Sequence, residues 1–596
     1  MKKKWVVAAK RADFTAIGAH FGVDPVIARI MRNRGMTEIS EMETYLYGTK
    51  SSLHDPHLLK DADKAAAILG EKLRAGKRIR ILGDYDADGI QSSYILLTAL
   101  RRVETAVSGP RQSRVDAVIP DRVRDGYGLN EHLVTKAWED GIDTILTCDN
   151  GISASDQIQR AKELGMTVIV TDHHEVPFEE KEGVRREILP EADAIVNPKQ
   201  ADCSYPFPDL CGAAVAWKLV QVFYEQEGIP AAEADGFLEN AGFATVTDVM
   251  DLVGENRILV KEGLKRLRQT RNKGMRALML QRNLDAETLK CYHIGFVLGP
   301  CLNATGRLET AQLSLELLMC EDEKKAAVLA KEVIELNESR KRMTERAAEE
   351  AARIIDENGY GSDKVIVVFL PDCHESLAGI VAGRIREAYG RPAFVVTRGE
   401  DSCKGSGRSM EAYSMYEEMC KCRELFLKFG GHPMAAGFSL PEENIDVLRR
   451  RLNAETTVSE DDLQPKVTID VPMPVDYLRE DLVRQLELLE PFGKRNEKPV
   501  FADHDLEITG LRICGKEKNV VQMRLKSAGG MERDAVYFGD PENLRLSLEE
   551  KYDMVVARDT INGRCVHHAS LDFIYYPEID HYYSTPRVKL RISDFR

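Results

Sequence analysis

Short runs of aliphatic and β-branched residues alternate with helical periodicity through the first half of the chain. Ile79–Leu82, Thr144–Thr147 and Thr167–Thr171 read as buried strands. Ile90–Leu100, Leu133–Glu139 and Ser153–Leu164 carry helical spacing, giving the strand–helix–strand rhythm of a parallel sheet. Helical periodicity also occurs upstream, at Asp24–Arg32 and Glu38–Leu46. From Glu321 to Glu357 the chain is rich in Ala, Glu, Lys and Arg and lacks Gly and Pro. That segment predicts one long helix, or two closely joined, reaching roughly 50 Å if unbroken and serving as a strut between lobes. A strand at Val365–Leu370 opens a second α/β region that ends near Arg451. Beyond Asp461 the pattern changes. Val467–Val471, Val500–Ile513, Asn519–Lys526, Asp534–Phe538, Tyr552–Ala557 and Cys565–Tyr576 read as short strands broken by Gly, Asn or Lys. So many strands suit a small β-barrel such as an OB-fold, and Arg587–Arg591, alternating basic and apolar, reads as an edge strand.

The ends of the three parallel strands carry the candidate chemistry. Ile79–Leu82 runs into Asp84-Tyr85-Asp86-Ala87-Asp88-Gly89, Thr144–Thr147 into Cys148-Asp149-Asn150-Gly151, and Thr167–Thr171 into Asp172-His173-His174. Parallel α/β sheets place ligands beyond the carboxyl ends of their strands. Acids crowded there repel one another and need a cation or a helix N-terminus to be tolerated. Carboxylates and imidazoles without thiolates favour manganese or magnesium over structural zinc.

These segments resemble the successive motifs of the DHH phosphoesterase superfamily. Later segments narrow the resemblance to RecJ-type single-strand exonucleases: Cys211–Ala216, Ala244-Thr245-Val246-Thr247-Asp248-Val249, Leu302-Asn303-Ala304-Thr305-Gly306-Arg307, Gly405–Ser409, Phe429–Gly437 and Glu490–Gly493. The resemblance runs from about Lys60 to near the C-terminus. It implies an N-terminal segment at 1–60, a parallel-sheet DHH catalytic domain at 61–315 and a connecting helix at 316–360. A smaller α/β DHH-associated domain at 361–455 and an OB-fold single-strand-binding domain at 456–596 would follow.

The implied activity is 5′-to-3′ hydrolysis of single-stranded DNA to mononucleotides, in DNA repair and recombination, with two divalent cations, manganese or magnesium. By the same resemblance Asp149 bridges the pair. One ion takes Asp86 and Asp149, and the other takes Asp88, Asp149, His173 and Asp248. His174 would lie beside the scissile phosphate, with Asp84 and Asp172 as further ligands or as partners of the ligands. Asn303, Arg307, His374, Ser406, Arg408, Gly430, Gly431 and His432 would bind substrate. Arg122, Arg124 and Lys199 are further phosphate candidates, for which an ordinary surface ion pair is an equal reading. Two departures stand out: Cys301 occupies a position where such proteins often carry Arg, and His374-Glu375-Ser376 replaces His-x-Gly. The alternative function is a DHH-family phosphodiesterase acting on short oligonucleotides or cyclic dinucleotides, and the β-rich tail argues against it. A non-catalytic scaffold is disfavoured because every acid is in place.

Composition narrows the setting. The net charge of −15 speaks only weakly against a nucleic-acid enzyme, since binding depends on local basic patches. No apolar run approaches the ~18 residues of a membrane span, and Trp5–Ala9 is too short for a signal peptide. Twelve scattered cysteines fit reduced thiols in a cytoplasm. Single-stranded DNA is the expected partner, with a helicase or a single-strand-binding protein as further candidates and no membrane. Tyr537, Phe538, Tyr575 and Tyr576 are candidates for base stacking or for barrel core.

Overall fold

The computed structural model describes residues 3–109, 113–122, 124–126, 128–181, 184–580 and 586–596. The chain divides into two compact units, one of residues 53–250 and 258–465, the other of 1–52, 251–257 and 466–596.

The larger unit begins with a five-stranded, all-parallel sheet. Its strands are β1 (Ile79–Leu82), β2 (Val115–Val118), β3 (Thr144–Cys148), β4 (Thr167–Thr171) and β5 (Ala194–Val196), in the order β2-β1-β3-β4-β5. Alternate side chains point to opposite faces, so each strand feeds two cores. Ile79, Ile81, Leu146, Cys148 and Ile169 pack on one side, and Leu82, Ile145, Val168 and Val170 on the other. The first core is closed by helices α1 (Ala87–Ser108), α2 (Gly212–Gln226) and α3 (Leu238–Thr247). Helix α1 starts three residues earlier than its apolar pattern suggested, because Asp86 caps it: its Oδ1 accepts from the N–H groups of Asp88 and Gly89 at 2.9 and 3.1 Å.

Helix α4 (Gly299–Leu308) leads toward α5 (Glu323–Glu357), which is unbroken for 35 residues, about 50 Å. It is no bare strut. Ala326, Ala330 and Val333 are buried along its first half, and Ala351 and Ile355 join the core of the following lobe. That lobe is a mixed sheet of β6 (Ile366–Phe369), β7 (Ala393–Arg398), β8 (Cys403–Arg408), β9 (Lys428–His432) and β10 (Ala435–Leu440), with helix α6 (Ala378–Tyr389) after β6. The order is β9-β10-β8-β7-β6, with only β6 and β7 parallel.

The smaller unit is built on a closed barrel of β11 (Phe501–Cys514), β12 (Val520–Lys526), β13 (Glu532–Phe538), β14 (Ser570–Asp580) and β15 (Arg587–Phe595). The order β11-β12-β13-β15-β14 closes through pairing of β11 with β14. Two expectations are corrected here. Tyr552–Ala557 is not a strand, because Asp553 accepts from Val555 N and Val556 N and starts the helix Met554–Ile561. Arg587–Arg591 is not at an edge: β15 lies between β13, parallel to it, and β14, antiparallel to it. Of the four aromatics considered for stacking, Tyr575 is buried and Phe538 is exposed beneath Arg591. The N-terminal segment shares this unit: Lys4–Val7 pairs in parallel with Lys466–Ile469, and Ile27, Ile30 and Met42 enter the barrel core.

Candidate active site

Adjacent strands β1, β3 and β4 end side by side, so the acids that follow them meet. Asp149 takes a left-handed backbone conformation, φ 61°, that turns its carboxylate inward. Asn150 holds this turn by donating from Nδ2 to the carbonyls of Leu82 (3.1 Å) and Cys148 (2.9 Å). Helix α2 begins against the same carboxylate. A Cβ on Gly212 would lie 2.8 Å from Asp149 Cβ, so only glycine fits there. The N–H groups of Gly212 and Ala213 donate to Asp88, both at 2.7 Å, which places that carboxylate on a helix N-terminus.

Three overlapping sets of ligand atoms lie within 4.8 Å of one another: Asp149, His173 and His174; Asp88, His173 and Asp248; and Asp84, Asp86 and Asp149. His173 is common to the first two sets, and its Nε2 lies 3.0 Å from Asp149 Oδ1, 3.7 Å from Asp88 Oδ2 and 3.8 Å from Asp248 Oδ2. Asp172 does something different. Its carboxylate accepts from Ile152 N, His173 N, His174 N and His174 Nδ1, at 2.9, 2.7, 3.1 and 2.7 Å, and so fixes both histidines.

The electrostatics say what the cluster lacks. Burial, then the neighbouring carboxylates, raise Asp84, Asp149 and Asp248 well above the usual carboxylate range, and Asp88 to about 7. Asp84 Oδ1 is buried without a hydrogen-bond partner among the described residues. Burial also lowers His173, to about 3, so its imidazole is neutral and competent as a ligand. For His174 burial opposes charging, yet the bond to Asp172 and the surrounding acids raise it to about 9. Buried acids that cannot all ionise alone, with a neutral imidazole among them, fit divalent cations. Cys148 and Cys211 lie close by, but burial raises both thiols, Cys148 to about 12, so the donor set is oxygen and nitrogen.

Beside this cluster is its electrostatic opposite. Arg122 stacks over the ring of Tyr85, between Asp84 and Asp86, at 4.7 Å. Arg307 is lowered to about 10 by burial and by the charges of Arg122, Arg340 and Arg408. Arg408 is lowered by burial, Arg386 and Arg122. A cavity of about 430 Å³ is lined by Arg122, Arg124, Arg307 and His374 among others. Arg307 Nη1 donates to Ser376 O (2.7 Å), Ser376 Oγ donates to Arg307 O (3.0 Å), and His374 Nδ1 meets Ser376 Oγ at 2.8 Å. The serine in place of glycine therefore clasps the two lobes at the pocket.

The other expected positions fall as follows. Asn303 Oδ1 accepts from Ala87 N at 2.8 Å and steadies the start of α1. Ser406 lies beneath Arg408 (3.3 Å). Gly430, Gly431 and His432 are on the exposed edge strand β9, where register aligns Gly430 with Gly437 and Ser406, and His432 with Ala435 and Arg408. Lys199 is paired with Glu175 at 3.0 Å, and Arg124 is largely exposed beside Asp125. Sequence reasoning passed over Arg340. Its guanidinium donates twice to Asn337 Oδ1 (3.1 and 3.0 Å), and buried Asn337 leans on Cys301 Sγ (3.4 Å). In a helix of Ala, Glu, Lys and Arg, nothing local distinguished it from a solvated charge.

The parallel sheet with acids at three adjacent strand ends, followed by a second α/β lobe, defines a phosphoesterase of the DHH type. Matches to the DHH family N-terminal domain at residues 78–239, the DHHA1 domain at 362–457 and the RecJ OB domain at 469–594 agree with it. The single-stranded-DNA-specific exonuclease RecJ of Escherichia coli is 32% identical over 534 residues, covering 86% of this chain and 89% of that protein. The Bacillus subtilis RecJ is 33% identical over 91% of this chain, and the chain spans 66% of its length. The crystal structure of RecJ with Mn2+ from Thermus thermophilus superposes with a TM-score of 0.79 at 27% identity, over all of this chain and 79% of that one. The Mg2+ complex gives 0.74 at 26%, over all of this chain and 78% of that one. The chain belongs to the RecJ family.

Proposed function

We propose that this chain hydrolyses single-stranded DNA from its 5′ end, in a divalent-cation-dependent reaction that releases mononucleotides. One observation carries the reading: a buried cluster of acids and an imidazole that fits divalent cations adjoins a cluster of mutually repelling, largely buried arginines, with Tyr85 between them. Asp86 with Asp149, and Asp88 with Asp149, His173 and Asp248, would hold two cations, manganese or magnesium, and Asp84 supports the first of these sets. Bound there, the cations neutralise the phosphodiester and polarise the attacking water. Arg307, Arg408 and Arg122 grip the 5′-terminal phosphate and set the scissile bond over the acids. Asp172 orients His174, and that imidazolium donates a hydrogen bond to a phosphate oxygen as charge builds on it. Water adds to phosphorus, the P–O3′ bond breaks, and the departing O3′ takes up a proton. The shortened strand then carries a new 5′-phosphate, which the arginines can grip again.

The RecJ OB domain match at 469–594 favours a polymer over a short oligonucleotide or cyclic dinucleotide. A helicase or single-strand-binding protein that supplies the single strand, and a cytoplasmic setting, complete the reading. Among the described residues no helix is long and apolar enough to cross a membrane. The test is digestion of end-labelled single- and double-stranded DNA with Mn2+ or Mg2+. Mononucleotides released from the 5′ end of single strands are expected. Release from the 3′ end, or cleavage confined to di- and trinucleotides, would overturn it.

A further inference from the structure

One continuous helical run passes the whole site. It comprises Cys291–His293, a π-turn at Ile294–Leu298 and then α4. Several of its contacts are to elements of the site. Arg307 enters the arginine pocket, and Asn303 holds Ala87. A Cβ on Gly299 would lie 2.4 Å from Thr247 Cγ2, and one on Gly295 would lie 3.7 Å from Val246, both at the end of α3 just before Asp248. Past that point the run displays Tyr292 and Phe296, four residues apart and so on one helical face. Their rings stack on each other at 5.2 Å and 28°. They are nonetheless 63% and 70% exposed, and Val249, directly after Asp248, is exposed too. A π-turn is an uncommon insertion that is frequent at functional sites, and here it sets the rotation of this face.

We infer that Tyr292 and Phe296 form a stacking platform for bases of the single strand, on the side of the acid cluster away from the arginine pocket. The inference rests on the proposed nuclease function and adds where the undegraded part of the strand is held. The occupant follows from position and chemistry. The face is continuous with a site built for a phosphodiester, and a flat, exposed aromatic pair takes any base, as a sequence-indifferent enzyme requires. Arg307 and Phe296 are eleven residues apart, about 16 Å along the helix. That distance spans about three to five nucleotides, taking stacked bases at about 3.4 Å each and allowing for a more extended strand. The terminal phosphate and the platform thus bracket the scissile bond.

The test compares the full-length wild type with Tyr292→Ala/Phe296→Ala and with Phe296→Trp, each with Mn2+. Substrates are a 12-nucleotide single strand, the same strand abasic at nucleotides three to six, and a dinucleotide. The double variant is expected to raise KM for the 12-mer about 10-fold or more with kcat little changed, and Phe296→Trp to stay near the wild type. The dinucleotide KM should move less than about 2-fold, and the abasic strand should remove the difference between wild type and variant. An unchanged 12-mer KM overturns the platform, and so does an equal loss on the dinucleotide, which would mark a structural role. An altered oligomeric mass with unchanged KM would give the face to a second copy of the chain and overturn it as well. A wild type that degrades no single strand would instead sink the nuclease reading, and the platform with it.

Discussion

Gly306→Ala tests whether the metal site and the phosphate pocket are one mechanical object. A Cβ at this position would stand 2.2 Å from Tyr85 O and 3.2 Å from Tyr85 C. An unstrained carbon–oxygen contact needs about 3.3 Å, so α4 and the Asp84–Asp86 turn must part by about 1 Å. A backbone carbonyl cannot swing aside as a side chain would. Overpacking of this kind costs about 1–3 kcal/mol, so the protein should fold with a lowered melting temperature. Catalysis should suffer more, because a displacement of about 1 Å costs about 100-fold in rate.

The assay is kcat and KM on a labelled single strand, with Mn2+ titrated at each substrate concentration. If the acid turn yields, the Mn2+ concentration for half-maximal rate rises. If α4 yields, Arg307 withdraws and KM rises. Gly383→Ala is the matched control: its added Cβ meets open space on helix α6, so stability should rise by about 0.5–1 kcal/mol with unchanged kinetics. Wild-type kcat, KM and Mn2+ dependence in Gly306→Ala would refute the coupling.

Asp149→Ala should bring hydrolysis to background and reduce Mn2+ stoichiometry in calorimetric titration, since it belongs to two of the three ligand sets; wild-type turnover would refute the shared-ligand assignment. Arg257→Ala should lower stability by about 3 kcal/mol or more in urea, because its buried guanidinium donates to the carbonyls of Tyr45, Leu488, Leu489 and Glu490; an unshifted midpoint would contradict this. Glu239, beneath Thr270, is raised by burial from 4.5 to about 7. A raised folded-state pKa means its contribution is complete below pH 4.5 and is lost as pH climbs through 7, by at most about 3 kcal/mol. Glu239→Gln should therefore flatten the fall in stability between pH 5 and 8 seen in denaturant melts, and an equally steep fall in the variant would remove Glu239 as its cause.

The sequence was most legible where a local pattern and the fold agree. Strands β1, β3 and β4 lie where β-branched runs placed them, and their acids meet because the three strands are neighbours in the sheet. The helix Met554–Ile561 was misread because Val555 and Val556 favour strands locally, while the capping power of Asp553 and burial of Ala557 and Thr560 decide for helix. Pairing of Lys4–Val7 with Lys466–Ile469 had no local signal at all, since neither segment records a partner more than 450 residues away. The same reason hid the clasp at Ser376. Its identity was visible as a departure from the family pattern, but its bonds to Arg307 arise only when the second lobe folds against the first.

The site is strained in two opposite senses, and the strains are complementary. Asp84, Asp88, Asp149 and Asp248 are each disfavoured as anions by burial and by one another, while Arg307 and Arg408 are disfavoured as cations by burial and by neighbouring arginines. Each cluster relieves the other only in part: Arg122 favours ionised Asp84 and Asp86 favours charged Arg307, while burial still dominates both. Tyr85 lies between them, its ring under Arg122 and its carbonyl against Gly306. A divalent cation relieves only the first cluster, and a phosphate only the second. A phosphodiester whose terminal phosphate meets the arginines while its scissile phosphate meets cations on the acids relieves both at once. Under the proposed function, binding energy from the arginine side would hold the strand where the acid side can act on it, and occupancy of either half would favour the other by linkage. On that reading, the mutual repulsion buried within each cluster is what makes the cleft bind a phosphodiester and its cations together.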